Sequence, residues 1–210
     1  MGPRQFLFEG DSMKLIIASN NEHKIREIKE IIGAFFPTIC SLKEAGITLE
    51  VLEDGKTFKE NAVKKAESVL AVASGFDAAL ADDSGLSVDA LHGAPGVYSA
   101  RYAGEPHCDA DNNKKLMEDM RDIPASRRTC RFVSCVALAR KGKDTITSTG
   151  TVEGLLLNAP MGSNGFGYDP YFYYPPARCS FAQMPSEQKN AVSHRHNALM
   201  KMRALLEEER

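Results

Sequence analysis

Two acids stand side by side in the stretch AALADDSGL, residues 78–86. Adjacent carboxylates repel each other, and at the end of an apolar run they are also partly desolvated, so neither effect favours the fold. In an extended chain successive side chains point to opposite faces, so Asp82 and Asp83 need not share a role: one can face a site while its neighbour braces it. The plainer alternative is that the apolar run stops at the acids and one of them caps a turn around Ser84 and Gly85, as Asp and Ser commonly do near Gly.

Three further groups could join them. Glu53 and Asp54 in VLEDG add carboxylates, and oxygen-rich sets of this kind suit Mg²⁺, which takes one or two carboxylates and fills its shell with water and phosphate oxygens. Acids beside Gly in a loop are more often solvated turn residues. SNNEHK, Ser19 to Lys24, sits at a strand-to-helix turn, where free amides of a helix N-terminus and the Lys24 ammonium would make a compact phosphate site. The competing reading is that Ser19, Asn20 and Asn21 only cap the helix. GFGYDP, Gly165 to Pro170, offers the flat faces of Phe166 and Tyr168 to a base, glycines that let a ligand approach the backbone, and an Asp169 held extended by Pro170. Those aromatics could equally anchor a core. In KNAVSHR, Lys189 and Arg195 flank the start of the last helix with His194 between them, and could converge on phosphate or on a base carbonyl. His194 and His196 are two apart and diverge on a helix, so they are not read as a metal pair.

The elements that must position these groups are legible in outline. KLIIA from Lys14 reads as a short strand that gives way to a helix, with Ser19 and Glu22 at capping-box spacing, Ile25, Ile28 and Ile32 on one face, and Gly33 as the stop. Thr57 and Glu60 announce a second helix, with Phe58, Ala62, Ala66, Val69 and Ala73 on one face, that feeds into AALADDSG. A helix is expected from about Asp109 to Met120. TCRFVSCVALAR from Thr129 is a long alternating strand, KGKD a hairpin turn and TITSTGTVEG the returning antiparallel strand. NAPMGSNGFGYDPYFYYPP reads as a binding loop entering a short strand, and a final helix is expected from about Glu187 to the C-terminus. Strand-helix alternation with an inserted antiparallel pair means α/β with a mixed sheet.

The bulk composition narrows the partners. At 210 residues, 43% hydrophobic and 26% charged, the chain has enough apolar surface for one good core and no internal repeats or linker, so a single domain, two-lobed at most, is expected. A net charge of -2 gives no general attraction to nucleic acid or to a membrane surface, so an anionic ligand must be held by a local group of Lys and Arg. The five cysteines are odd in number and form no CxxC pair, which fits a reducing, cytoplasmic setting. Residues 1–12 are too short and too polar for a signal peptide or a membrane span and are read as an N-terminal extension, with the domain running over 13–210.

In order along the chain, ASNNEHK, TFKENAVKKA, ADDSGL, GAPGVYSARYAG, GFGYDP and KNAVSHR resemble the motifs of the inosine triphosphate pyrophosphatase family, the house-cleaning nucleotidases that remove deaminated purine nucleotides. The resemblance covers nearly everything from Met13 to the last helix. It implies an elongated, two-lobed α/β fold around a twisted mixed sheet, a homodimer, and Mg²⁺-dependent hydrolysis of ITP, dITP and XTP to the monophosphate and pyrophosphate, with Mn²⁺ able to substitute. It further implies that Ser19, Asn20, Asn21, Glu22, His23 and Lys24 hold the phosphates and that Glu53 and Asp83 serve the metal. Asp83 would also be the proton acceptor. Ser84, Phe166, Gly167, Tyr168, Asp169, Lys189, His194 and Arg195 would surround the nucleotide, with Lys189 alongside Lys24 as a phosphate-side cation. One departure is Asn164, where many relatives carry Gly. Two other readings compete: a phosphatase or kinase-like protein that phosphorylates an Asp of the pair and releases inorganic phosphate, and a phosphodegron-type signal in DSGLS, Asp83 to Ser87, which would require an exposed, flexible segment.

Overall fold

Three consecutive apolar residues in KLII cannot all face one side of a strand, so this segment must be covered on both faces. It is: β1 (Lys14–Ile17) lies inside the sheet with Leu15, Ile16 and Ile17 fully buried. The structure, a computed structural model, describes residues 13–209; the expected N-terminal extension over residues 1–12, Arg210 and the side chain of His23 lie outside the described residues.

β1 pairs in parallel with β2 (Thr38–Ser41) on one side and with β3 (Ala78–Val88) on the other. From β3 onward the pairing is antiparallel, through β4 (Thr129–Arg140), β5 (Lys143–Leu156), β6 (Phe172–Tyr174) and β7 (Cys179–Ser180), giving a seven-stranded mixed sheet of order β2-β1-β3-β4-β5-β6-β7. The helices are α1 (Glu22–Ile32), α2 (Phe58–Val72), α3 (Asp109–Asp119), α4 (Ser186–Val192) and α5 (His194–Glu208).

The period-two alternation of β1, β3 and β4 builds two cores back to back. Leu15, Ile17, Leu80, Val136 and Leu138 face α1 and α5, meeting Ile28, Ile32, Leu199 and Met202. Ile16, Ala79, Ala81, Cys135 and Ala137 face the other way, onto Ala62, Ala66 and Val69 of α2. Alanine on both sides lets α2 lie close to the sheet, which matters because α2 carries polar residues of the site. Beyond the middle of β3 a third core forms around Leu86, Phe132, Phe172 and Phe181, with the Phe132 and Phe172 rings 4.6 Å apart. Each buried Leu, Ile, Val, Met or Phe side chain contributes roughly 1.5–3 kcal/mol by leaving water.

The expected elements are present, with four differences. β3 does not end at the acids: its ladder with β4 runs unbroken from Ala78↔Arg140 to Val88↔Cys130, because the long β4 pairs with alternate backbone groups on one edge of β3, while on the other edge Ser99 Oγ and Ala94 O accept from the Leu86 and Val88 N–H groups. DSGLS is accordingly a paired strand of the central sheet rather than a flexible segment. α1 starts at Glu22 and is capped by Asn21, whose Oδ1 accepts from the Lys24 N–H at 3.2 Å, while Ser19 Oγ accepts from the Asn21 N–H. The last helix is broken in two at Ser193, which caps α5 through the His196 N–H at 3.0 Å. β2 carries too few apolar residues to be read from periodicity, and it joins as an edge strand.

α5 is seated on β5 at Gly150. A Cβ there would stand 2.2 Å from both His194 O and Ala198 N, so only glycine lets the helix backbone approach. Gly150→Ala is expected to destabilise the protein by about 2 kcal/mol by forcing α5 off the sheet, and a urea titration checks this. An unchanged unfolding midpoint would mean the helix is free to give way.

Candidate functional site

Because β3 continues as a strand, Asp82 and Asp83 go to opposite faces. Asp82 follows Leu80 toward α1 and α5, and Asp83 follows Ala81 toward α2. Both carboxylates are buried, and each meets a different set of partners.

Asp82 is the centre of an ion cluster. Lys24 Nζ on α1 lies 2.6 Å from its Oδ2 and Arg195 Nε on α5 lies 3.3 Å from the same oxygen, while Ser134 Oγ on β4 donates to Oδ1. Arg195 is held from a second side by Glu27, whose Oε2 is 3.2 Å from Nη1 and whose Oε1 accepts from Ser193 Oγ. Burial alone would raise the Asp82 pKa, but the charges of Lys24 and Arg195 outweigh it and hold the carboxyl well below the usual carboxylate range. Asp82 is thus a permanently ionised brace.

Asp83 is poised differently. Its Oδ2 accepts from Asn61 Nδ2 at 3.0 Å and its Oδ1 from the Ser84 N–H at 3.1 Å. Burial is the largest influence and pushes its pKa up to about 6, against the opposing pull of Lys65 and Asn61. Lys65, one turn beyond Asn61 on α2, pairs with the Glu53 carboxylate and donates to the Asp82 carbonyl at 3.4 Å. Glu53 and Asp83 therefore flank one ammonium. Glu53 and Lys65 border a cavity of about 750 Å³ that Ser19, Asn20 and Arg101 also line.

On the Asp82 side lies a second cavity, of about 540 Å³, walled by Asn21, Lys24, Ser84, the loop from Asn164 to Asp169, Lys189, His194 and Arg195. Its glycines serve the loop: Gly165 and Gly167 adopt φ of 78° and 59°, which favour glycine. Gly167 is clamped by α3, donating its N–H to Asp109 Oδ2 at 2.7 Å and accepting from Asn113 Nδ2 at 2.9 Å. Asn164 fits where Gly was expected, since its side chain donates to Met184 O and ties the loop down. His194 stacks on Phe132 with centroids 5.0 Å apart, and burial followed by the charge of Arg195 keeps its pKa well below that of an ordinary histidine, so the ring is neutral. Its buried Nδ1 has no hydrogen-bond partner among the described residues.

Most of the residues singled out from the sequence are thus brought together around two polar regions on either face of β3. Several stand in altered positions. Glu22 is exposed and lines an outer groove with Arg26 and Lys29 instead of either cavity, and the His23 side chain lies outside the described residues. Asp54 is exposed and pairs with Lys64, so of the two acids in VLEDG only Glu53 joins the site. Tyr168 is buried with its hydroxyl donating to Ser99 O at 2.8 Å, so it anchors the loop and leaves half-exposed Phe166 as the accessible ring. Lys189 lines the same cavity as Lys24, where it pairs with Asp169 and stands 4.7 Å from the Phe166 ring centroid, at the aromatic loop.

Sequence reasoning assigned no role to Glu27, Asn61, Lys65 or Asp109. A signal existed for three of them: Glu27 is a polar residue inside the apolar stripe of α1, three places after Lys24, and Asn61 and Lys65 are four apart beside the alanine face of α2.

Comparison with known proteins agrees with this architecture. The Ham1 family profile matches residues 15–205. A protein of Clostridium perfringens named dITP/XTP pyrophosphatase is 47% identical over 194 residues, covering 90% of this chain and 95% of the relative. One of the same name from Leuconostoc mesenteroides is 48% identical, covering 90% and 94%. Among solved structures, the Staphylococcus aureus Ham1 protein superposes with a TM-score of 0.85 at 39% identity over 94% of this chain and 100% of that one. With the profile spanning both cavities and nearly half the residues identical to such relatives, the chain belongs to the Ham1 family.

Proposed function

We propose that the protein hydrolyses deaminated purine nucleoside triphosphates, ITP, dITP and XTP, to the monophosphate and pyrophosphate. The observation that carries this reading is the split of the adjacent acids: Asp82 organises cations beside a nucleoside-sized cavity, and Asp83 is a desolvated carboxylate on the far face of β3, under the pull of Lys65, which with Glu53 lines a second polar cavity. The names of the relatives support the substrate class.

In this reading the base enters the cavity beside Phe166 and His194, and the phosphates pass Lys24 and Ser84 toward Asp83 and Lys65. Glu53 and Asp83 would hold Mg²⁺, since a pair of carboxylates already flanking one cation is the oxygen set this ion takes together with phosphate. When bound, the ion offsets charge on the leaving pyrophosphate. Asp83 accepts the proton of the water that attacks the α-phosphorus, and its raised pKa makes it a better acceptor than an exposed carboxylate. Asn61 and the Ser84 N–H hold it in one rotamer, and Lys24 and Lys65 offset the charge that develops on the phosphates. At the base end Lys189 and Arg195 are donor-only groups, suited to the C6 carbonyl of inosine or xanthine and unable to accept from the 6-amino group of adenine.

The division of labour between the acids has opposite consequences for stability. Asp83 has a folded pKa of about 6, raised above its unfolded value, so the folded state binds the extra proton and this group's stabilisation fades as pH rises through 6. Asp83→Asn in metal-free protein is expected to gain about 1 kcal/mol near pH 7.5, to lose that gain below about pH 4, and to lower kcat by about 10³-fold. Asp82 is depressed, so its contribution is present at neutral pH and lost in acid; Asp82→Asn strands Lys24 and Arg195 and should cost about 3 kcal/mol at neutral pH. Urea midpoints at the two pH values, with turnover alongside, test the pair. Equal destabilisation by both substitutions would contradict the assignment.

The activity itself is tested by kcat/KM for ITP, dITP, XTP and ATP with phosphate and pyrophosphate detected separately, before and after EDTA. The expected result is pyrophosphate as the primary product, loss of turnover in EDTA restored by Mg²⁺, and ATP disfavoured by about 10³-fold or more, since two unmatched buried donors each cost about 1–3 kcal/mol. Inorganic phosphate as the first product would instead indicate an aspartyl-phosphate mechanism, and comparable values for ATP and ITP would remove the base selectivity.

A further inference from the structure

We propose that Arg101 is a positioning residue that sets the spacing between Glu53 and Asp83. This rests on the reading of those two acids as the metal-binding pair.

Glu53 lies in a segment, residues 47–57, that contains neither helix nor strand. Ile47 and Leu49 at its start pack against the α2-facing core, but Leu52, the neighbour of Glu53, is 71% exposed, so apolar packing does not extend to Glu53 itself. Several of its tethers come from α2 alone: Asn61 accepts from the Gly55 N–H at 2.8 Å, Glu60 from the Lys56 N–H, Lys64 pairs with Asp54, and Lys65 with the Glu53 carboxylate. The Lys65 tether is the one a cation bound between the acids would have to compete with or share. A tether that leaves the carboxylate free must therefore act on the Glu53 backbone, and Arg101 supplies it, donating from Nη2 to Glu53 O at 2.8 Å.

Arg101 closes a 3-10 turn, Gly96–Arg101, that is fastened to the strand carrying Asp83. The Leu86 N–H donates to Ser99 Oγ at 2.9 Å, and Ser99 Oγ donates to Gly96 O at 2.6 Å. Gly85 permits that approach, since a Cβ there would stand 2.2 Å from Ser99 Oγ. The Arg101 guanidinium is directed by the Tyr98 ring, with Cζ 5.4 Å from its centroid. Asp83 and Glu53 are thus linked by a short path, β3 to Ser99 to Arg101 to the Glu53 carbonyl, that bypasses α2. A lysine at 101 keeps the charge but lacks the planar fork that serves the carbonyl and the ring together.

The test uses Arg101→Lys and Arg101→Ala in the full chain, with Glu53→Gln as control. Hydrogen exchange of metal-free protein is expected to quicken about 10-fold in peptides covering 49–56 and to stay unchanged elsewhere, with Tm retained. The Mg²⁺ concentration for half-maximal ITP hydrolysis should rise about 10-fold, with kcat at saturating Mg²⁺ kept within about 3-fold. Unchanged exchange, an unchanged Mg²⁺ requirement, or quickened exchange across the whole sheet with a fallen Tm would each overturn the proposal. If Glu53→Gln shifts the Mg²⁺ requirement and the Arg101 variants do not, the fault lies with Arg101; if Glu53→Gln leaves it unchanged, the metal-site reading itself fails.

Discussion

The contact between Lys24 and Asp82 is buried where α1, α5 and β3 meet, and the rest of the site is arranged around what that burial demands. An isolated carboxylate at that depth would cost several kcal/mol, so its charge has to be matched nearby. Lys24 and Arg195 bring two positive charges to this face, and Asp82 and Glu27 bring two negative ones, each within hydrogen-bonding reach of a partner. The cluster is electrically closed, and because its members come from α1, β3 and α5 it also fixes how those three elements approach. Gly150 serves the same end by letting α5 sit against β5.

The opposite face of β3 does not balance in the same way. Lys65 pairs with Glu53 and also draws on Asp83 through its charge, so one negative charge among these three is left over when both acids are ionised. Burial, with the charges of Glu53 and Asp82 as smaller contributions, favours a proton on Asp83, which is why its pKa climbs while that of Asp82, one residue earlier on the same strand, falls. A bound cation would relieve the same excess. The period of a β-strand turns two adjacent and chemically identical side chains into a brace and a reactive group.

How much the sequence disclosed depends on how local each signal is. The cap of α2 was legible because Thr57 and Glu60 interact within one turn, and Thr57 Oγ1 does accept from the Glu60 N–H at 3.1 Å. The opposite orientation of Asp82 and Asp83 was legible for the same reason, since it depends only on the chain being extended. The continuation of β3 through Ser84 and Gly85 was not, because it is imposed by β4, some fifty residues away in sequence. Side-chain partnerships were least legible: nothing local distinguishes Lys189 as a partner of Asp169 from a phosphate-side lysine, or the Tyr168 hydroxyl as a tether to Ser99 rather than one end of a stacking face.

The two ends of the proposed substrate are served by different parts of the chain, and this bears on how selectivity and turnover can vary separately. The phosphate end draws on Ser19, Asn20, Asn21, Lys24, Glu53 and Lys65, with Asp83 beside them, while the base end draws on the loop from Asn164 to Asp169 and on Lys189, His194 and Arg195. Apart from the Tyr168 hydroxyl on Ser99, the loop is tied by α3, through Asp109 and Asn113 on Gly167, by Met184 on Asn164 and by Lys189 on Asp169, and α3 packs into the third core rather than against α1 or α2. Arg195 belongs to both ends, since it walls the base cavity while its Nε binds Asp82, the acid that holds Lys24 in place, and its Nη1 binds Glu27. Changes in the loop can therefore alter which base is accepted without disturbing the carboxylates, whereas a change at Arg195 reaches both, because the group that meets the base also completes the charge balance on which Lys24 depends.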